Sequence, residues 1–244
     1  MSTKKVCLDA GHDASNVNQS PDGSFYEHEF TLDMAKRMEA VLQRHGVVVT
    51  LTRTGGEAVN LEERVKIANS IPDLNLFVSL HSNAAGGEGW SSAAGWSVYT
   101  SVAGAAAQRN IAANAVISAV EEAGVATRSP ALWHERFYVL RNTVAPAILL
   151  EQGFHTNEGE VALLKSAAYR KLLAEAQCKG ILSYLDIPWQ ETPTPEPDNR
   201  TPSPWAAEDW YRAVALGLFD GSRPREPLTR EMAAVLLGRL GILD

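Results

Sequence analysis

The sequence predicts an α/β fold: a three-layer body whose mostly parallel central sheet of about six strands is flanked by helices, followed by a small all-α tail. Three observations carry that prediction. Short apolar runs rich in Val, Ile and Leu alternate with longer segments of helical period, the signature of strand–helix units stacked into a buried parallel sheet. Six prolines fall between Pro188 and Pro204, half of the chain's 12, and such a stretch can neither donate ladder hydrogen bonds nor build a core. The segment beyond these prolines is too short for a large core of its own. The expected organisation is therefore a main body at 1–187, a proline-rich spacer at 188–204 and a helical module at 205–244.

Taken in order, the strand candidates are Val6–Ala10, Val47–Arg53, Leu76–Leu80, Trp96–Thr100, Phe137–Leu140 and Ala147–Leu150. Helical spacing marks Phe30–Arg44, Leu61–Ser70, Ala105–Ala123 and Val161–Leu185. The first of these helices places Leu32, Ala35, Met38, Val41 and Leu42 along one face, with Gly46 where a C-terminal cap belongs. Asn60 followed by Glu63 resembles an N-capping box for the second. Cys7 and Cys178 sit far apart in apolar surroundings and read as two buried free thiols.

Charge and composition narrow the function classes. A net charge of −7 and the lack of a basic stripe argue against nucleic acid. No window has the length of a membrane-spanning helix. The opening Met-Ser-Thr-Lys-Lys runs directly into the first strand without an apolar signal segment, so the expectation is synthesis in the cytoplasm without a signal peptide.

Three strand candidates end in chemistry. Val6-Cys7-Leu8-Asp9-Ala10-Gly11 leads into His12, Leu76-Phe77-Val78-Ser79-Leu80 into His81, and Ala147-Ile148-Leu149-Leu150 into Glu151. Parallel strands bring their carboxyl ends to one edge of the sheet, where ligand sites form. A single His or Glu at a strand end is ordinarily a solvated loop residue; three together are a constellation. Two imidazoles and one carboxylate suit zinc, which takes three protein ligands and keeps a fourth position for water. Bound zinc lowers the pKa of that water to about 7. A second carboxylate held off the metal then carries the proton to the leaving amine. Glu27 and Glu151 both qualify, and the chemistry alone does not say which is ligand and which is base. His45, before Gly46, reads as a helix-end cation with a structural role. His28 and His155 adjoin candidate site residues, and His134 reads as a loop residue that could line a groove.

At these residues the sequence resembles the zinc-dependent N-acetylmuramoyl-L-alanine amidases of the type-3 class, found among bacterial wall hydrolases and phage endolysins. The matching segments are Leu8-Asp9-Ala10-Gly11-His12, Tyr26-Glu27 with Leu32-Asp33, Leu51-Thr52-Arg53, Leu61-Glu62-Glu63-Arg64, Phe77-Val78-Ser79-Leu80-His81-Ser82-Asn83-Ala84, Phe137-Tyr138-Val139-Leu140-Arg141-Asn142-Thr143 and Leu150-Glu151-Gln152-Gly153-Phe154 followed by Thr156-Asn157. They occur in the family's order and span nearly the whole body. The resemblance implies that His12, Glu27 and His81 hold Zn2+, that Glu151 is the catalytic residue, and that Arg141, Asn142 and Asn83 contact substrate. It implies hydrolysis of the amide between N-acetylmuramic acid and L-alanine of the peptidoglycan stem peptide; the expected lack of a signal peptide adds a lysin acting on the wall after release. A zinc peptidase of the stem peptide and a non-catalytic wall-binding protein are the alternatives. Two departures stand out: Asp13 follows His12 where the family usually carries Gly, and His155 occupies a commonly aliphatic position.

The tail resembles part of a surface-layer-homology repeat at Trp205-Ala206, Gly217-Leu218-Phe219-Asp220-Gly221-Ser222-Arg223-Pro224 and Leu228-Thr229-Arg230-Glu231. That likeness implies a module for a wall polymer. The bare pattern, with Trp210, Val214 and Leu218 on one helix face and Val235, Leu236 and Leu240 on another, equally suits an oligomerisation helix pair.

Overall fold

The computed structural model describes residues 3–16, 18–87, 89–102, 104, 106–191 and 201–242. The chain divides into two compact units, Met1–Gln190 and Glu191–Asp244. Residues 192–200, most of the proline-rich spacer expected at 188–204, lie outside the described residues.

The first unit alternates strand and helix: β1 Lys5–Ala10, α1 Glu27–Arg44, β2 Val48–Leu51, α2 Leu61–Asn69, β3 Leu76–Asn83, β4 Trp96–Thr100, α3 Gln108–Glu122, β5 Thr127–His134, α4 Tyr138–Asn142, β6 Ala147–Phe154, α5 Glu158–Lys165 and α6 Ala167–Tyr184. Its sheet has six strands in the order β2-β1-β3-β6-β4-β5. Neighbours from β2 to β6 pair parallel, as do β4 and β5, while β4 meets β6 antiparallel.

Period-two alternation along the strands sorts the side chains between two faces. Val6, Leu8, Ala10, Leu76, Val78, Leu80, Ile148 and Leu150 point into the larger core, built with α1, α3 and α6. Cys7, Phe77, Ala147 and Leu149 point the other way, into a smaller cluster under α2 and α4. By the same alternation Asp9, Ser79, His81 and Glu151 lie on the thinly covered face, at its carboxyl edge. Both cysteines are free and buried.

The structure corrects two expected elements and extends a third. Phe137–Leu140 is not a strand: Leu140 and Arg141 N–H groups bond back to the Phe137 carbonyl at 3.1 and 3.2 Å, winding the segment into α4. The sixth strand is instead Thr127–His134, which contains Pro130 and so gave no strand signal; it runs along the sheet edge, where a missing N–H is tolerated. Val161–Leu185 divides at Ser166, whose extended backbone ends α5 and whose side chain accepts from Tyr169 N to start α6. Helix α1 begins earlier than its apolar stripe, at Glu27, which changes that residue's setting from loop to helix start.

In the second unit, a short turn at Pro204–Ala206 leads into α7 Ala207–Ala215, and Thr229 caps α8 Arg230–Arg239 by accepting from Met232 N. Trp210 stacks on Phe219 at 5.0 Å. Trp205, Leu216, Met232, Val235 and Ile242 are exposed. Among the described residues no helix is long and apolar enough to cross a membrane.

Candidate metal centre

Strand β1 delivers His12 two residues past its end, and the turn that does so is tightly held. His12 adopts a left-handed backbone, φ 56°, uncommon for a residue with a side chain. Gly11 precedes it because nothing larger fits: a Cβ there would meet the His81 ring at 2.3 Å. Two buried arginines clamp the backbone. Arg53 donates to the carbonyls of Ala10 (2.9 Å), Gly11 (3.2 Å) and His28 (2.6 Å). Arg64 donates to those of Ala10 (2.6 Å), His12 (2.7 Å) and Val59 (2.9 Å). Arg64 also pairs at 2.7 Å with Asp9, whose other contacts are the hydroxyls of Thr52 and Ser79, each at 2.7 Å. Burial alone would raise the Asp9 pKa. The Arg64 charge and these hydrogen bonds overcome it and hold the carboxyl below its usual range.

Glu27, the first residue of α1, is buried and reaches both imidazoles. Its Oε1 lies 3.1 Å from His81 Nδ1 and accepts the Ser82 N–H at 2.8 Å. Its Oε2 lies 3.4 Å from His12 Nε2 and accepts from Asn18 Nδ2 at 2.9 Å. Burial works against the carboxylate, yet the hydrogen bond and charge of His81, then His12 and the Ser82 N–H, lower its pKa to about 2. His12 is shifted down, by burial first and against the pull of Glu27, so it favours the neutral form a metal requires. His81 is shifted up: burial opposes its charge, but the Glu27 hydrogen bond and charge, then Glu151, prevail.

The ligand atoms of His12, Glu27 and His81 all lie within 4.8 Å of one another. The two His–Glu separations, 3.4 and 3.1 Å, match the edge of a tetrahedron with bonds of about 2.1 Å, roughly 3.4 Å. With two neutral-capable imidazoles and an ionised carboxylate, the donor set fits a divalent cation.

Glu151 stands beside this group and outside it. It pairs in register with His81 across β3 and β6. Its Oε2 is shut off from solvent and has no hydrogen-bond partner among the described residues. Burial, reinforced by the Glu27 charge and opposed by His81 and Arg128, raises its pKa to about 8. A cavity of about 590 Å³ opens onto His12, His81 and Glu151, walled by Leu61 from α2 and by Phe137, Tyr138 and Val139 at α4.

The remaining sequence candidates divide. Arg141 is exposed on α4 with its guanidinium 5.7 Å from the Tyr138 ring centre, and Asn142 bonds back to the Tyr138 carbonyl. Asn83 ends β3, turning its Oδ1 to Ala84 N. His45 binds the Val41 carbonyl and the Gln190 N–H, a structural use. His155 is buried against Ser82, 3.9 Å from Glu27, and stacks on Phe25. His28 contributes its carbonyl to Arg53. His134 ends β5, bonded to Thr100, rather than lying on a loop. Asp13 ties its loop to Val59 N and to Ser15, giving the departure after His12 a structural role. Three residues of the site were not expected from sequence. Asn18 belongs to no pattern, whereas Asp9 and Arg64 carried a signal in their charges, set inside apolar or capped segments.

Residues 6–183 match the protein family described as N-acetylmuramoyl-L-alanine amidase. The endolysin of Bacillus phage SPP1 is 32% identical over 188 residues, covering 76% of this chain and 67% of that protein. The N-acetylmuramoyl-L-alanine amidase CwlM of Bacillus licheniformis is 31% identical, covering 75% of this chain and 69% of its own length. Among solved structures, the catalytic domain of CwlV, an N-acetylmuramoyl-L-alanine amidase from Bacillus (Paenibacillus) polymyxa, superposes with a TM-score of 0.69 at 31% identity, covering 76% of this chain and all of that one.

Proposed function

We propose, because the chain belongs to the N-acetylmuramoyl-L-alanine amidase family, that His12, Glu27 and His81 hold a zinc ion and that Glu151 carries the proton in its reaction. The reaction is hydrolysis of the amide that joins N-acetylmuramic acid to L-alanine in peptidoglycan. The observation that carries the division of labour is the setting of Glu151: in register with His81, open to the same cavity, with an unpartnered buried Oε2. When bound, zinc supplies a Lewis acid that polarises the scissile carbonyl and acidifies water, and its charge favours ionised Glu151. Glu151 accepts a proton from the attacking water on its carboxylate and delivers it to the departing amine nitrogen. Ser82 N–H and Asn18 hold the Glu27 carboxylate in orientation. Tyr138 and Leu61 flank the cavity and exclude bulk water from one side.

Fragment analysis of digested peptidoglycan, with and without chelator, tests this reading. New L-alanine amino termini and intact stem peptides are expected, lost on chelation and restored by zinc. Fragments cut within the stem peptide would establish a peptidase instead. Glu151→Gln should bind zinc but lose about 10²–10⁴ in turnover; full activity would remove Glu151 from the mechanism.

Likeness to the phage endolysin supports a lysin role, with action on the wall after release from the cytoplasm. We assign the segment 205–244 to wall-polymer binding or self-association, supported by its surface-layer-homology-like motifs and the apolar side chains it exposes. Sedimentation with purified walls, comparing the full chain with one ending at Gln190, decides: equal sedimentation would remove the wall-binding role.

A further inference from the structure

The sheet row that carries Glu151 continues beyond it. Ser97 on β4 lies directly across from Glu151, and its buried hydroxyl has no partner among the described residues. Opposite Ser97 the next strand bulges. The two steps from Trp96 to Val98 on β4 face the five from Thr127 to Leu132 on β5. Bulges re-aim side chains and concentrate beside active sites. The first residue inside this one is Arg128. Gly95 leaves room for its backbone, since a Cβ there would meet Arg128 N at 2.9 Å.

The Arg128 guanidinium is half-buried, 4.3 Å from the Trp133 ring centre and 5.5 Å from that of Phe154. It donates one hydrogen bond, to Tyr99 Oη at 3.0 Å. A guanidinium has five N–H donors, and among the described residues no carboxylate lies within ion-pairing distance of this one. Elsewhere in the body the buried arginines use most of their donors: Arg64 makes four hydrogen bonds, to three carbonyls and Asp9, and Arg53 bonds to four carbonyls and the Thr31 hydroxyl. A planar cation fixed between aromatic rings with its fork free is pre-organised for a carboxylate.

We propose that Arg128 is a substrate site: it binds the free carboxylate of the acidic second residue of the stem peptide, with Tyr99 and Trp133 as its support. The inference rests on the amidase reading, which places the scissile bond at Glu151. The reach agrees. Strands two apart are separated by about 9.5 Å, a span shared by the Glu and Arg side chains and about two residues of extended peptide, roughly 7 Å. The carboxylate next to the departing L-alanine lies at that distance from the scissile nitrogen. Walls whose second residue is amidated lack this charge, so Arg128 sets a preference between wall chemistries.

The test uses two synthetic substrates, N-acetylmuramoyl-L-alanyl-D-glutamate with its γ-carboxyl capped as the methylamide, and the same compound with the remaining α-carboxylate converted to carboxamide. The zinc-loaded wild-type protein should favour the acid by about tenfold or more in kcat/KM, the scale of one charge-assisted hydrogen-bonded pair. Arg128→Gln should bring the ratio near one, and Arg128→Lys, a point charge without the fork, should fall between. Calorimetry with the product dipeptide, L-alanyl-D-glutamate with the same γ-methylamide cap, gives a second readout, with binding weakened in Arg128→Gln by a similar factor. An unchanged ratio, or equal losses on both substrates, would overturn the assignment and leave Arg128 a support for Glu151. Should Arg128→Gln fail to fold, the Lys variant's ratio decides alone. Wild-type digests of whole peptidoglycan without new L-alanine termini would refute the underlying amidase reading, and that result needs no Arg128 variant.

Discussion

Arg64→Met is the substitution that most directly tests how the site is held. Methionine keeps much of the volume and removes the charge that faces Asp9 at 2.7 Å, with both groups buried. It also deletes the donors to the Ala10, His12 and Val59 carbonyls. Removing one member of a buried ion pair costs about 3–5 kcal/mol, because the survivor is left as an uncompensated charge. The expected loss in urea unfolding at neutral pH is of that size. Its pH dependence follows from Asp9. With a folded-state pKa held low, Asp9 contributes stability that is present above its unfolded pKa of about 3.9 and lost as pH falls through the folded value. Without Arg64, burial dominates and the Asp9 pKa rises, so the variant loses stability as pH climbs. The gap between wild type and Arg64→Met should therefore be widest near neutrality and narrow below about pH 4. Circular dichroism across a urea series at several pH values measures it. A gap under about 1 kcal/mol, or one that widens in acid, would refute the pairing as the element that secures β1.

Three further outcomes are expected. Glu27→Gln should abolish stoichiometric zinc in metal analysis while the fold persists, since it removes the carboxylate that both imidazoles face; full metal content would exclude Glu27 as a ligand. Gly11→Ala should displace the His81 ring, costing about 1–3 kcal/mol by overpacking and lowering zinc content together; unchanged values for both would show that the close approach is dispensable. Asn18→Ala should weaken zinc binding by about tenfold in chelator competition, the scale of a lost partner behind a ligand; an unaltered affinity would remove Asn18 from the orientation of Glu27.

Much of this site is legible in the sequence because strands advertise their ends. His12, His81 and Glu151 each follow an apolar run, and the adjacent order β1-β3-β6 turns three distant sequence positions into one edge. Glu27 carries no such mark. It precedes the apolar stripe of α1, so periodicity starts the helix at Phe30 and leaves the carboxylate outside; the helix begins at Glu27 because the chain turns there, with Glu27 N bonded to the Asn18 carbonyl at 2.8 Å. The resemblance to a known family named it where the pattern did not. Thr127–His134 escaped for the opposite reason: Pro130 and a bulge break the alternation of a true strand. The missed strand carries Arg128 and Trp133 and pairs with β4, whose Ser97 lies across from Glu151. The bulge that hid it from pattern is the one that holds Arg128.

The two faces of the sheet explain why the chemistry sits where it does. Helices α1, α3 and α6 cover one face with a continuous apolar core, and any polar residue pointing there would need a buried partner. Among the described residues the other face carries only α2 and α4, and there Asp9, Ser79, His81, Ser97 and Glu151 follow from single-residue alternation with core positions such as Leu8, Leu80, Val98 and Leu150. A one-residue slip of β3 or β6 would bury His81 or Glu151 in the large core and expose Leu80 or Leu150 to the cavity. The stability of the thick core therefore fixes the register, and the register fixes the metal site. Weakening that core should cost metal affinity even without touching a ligand, whereas loosening α2 or α4 should alter the cavity and leave the ligands in place.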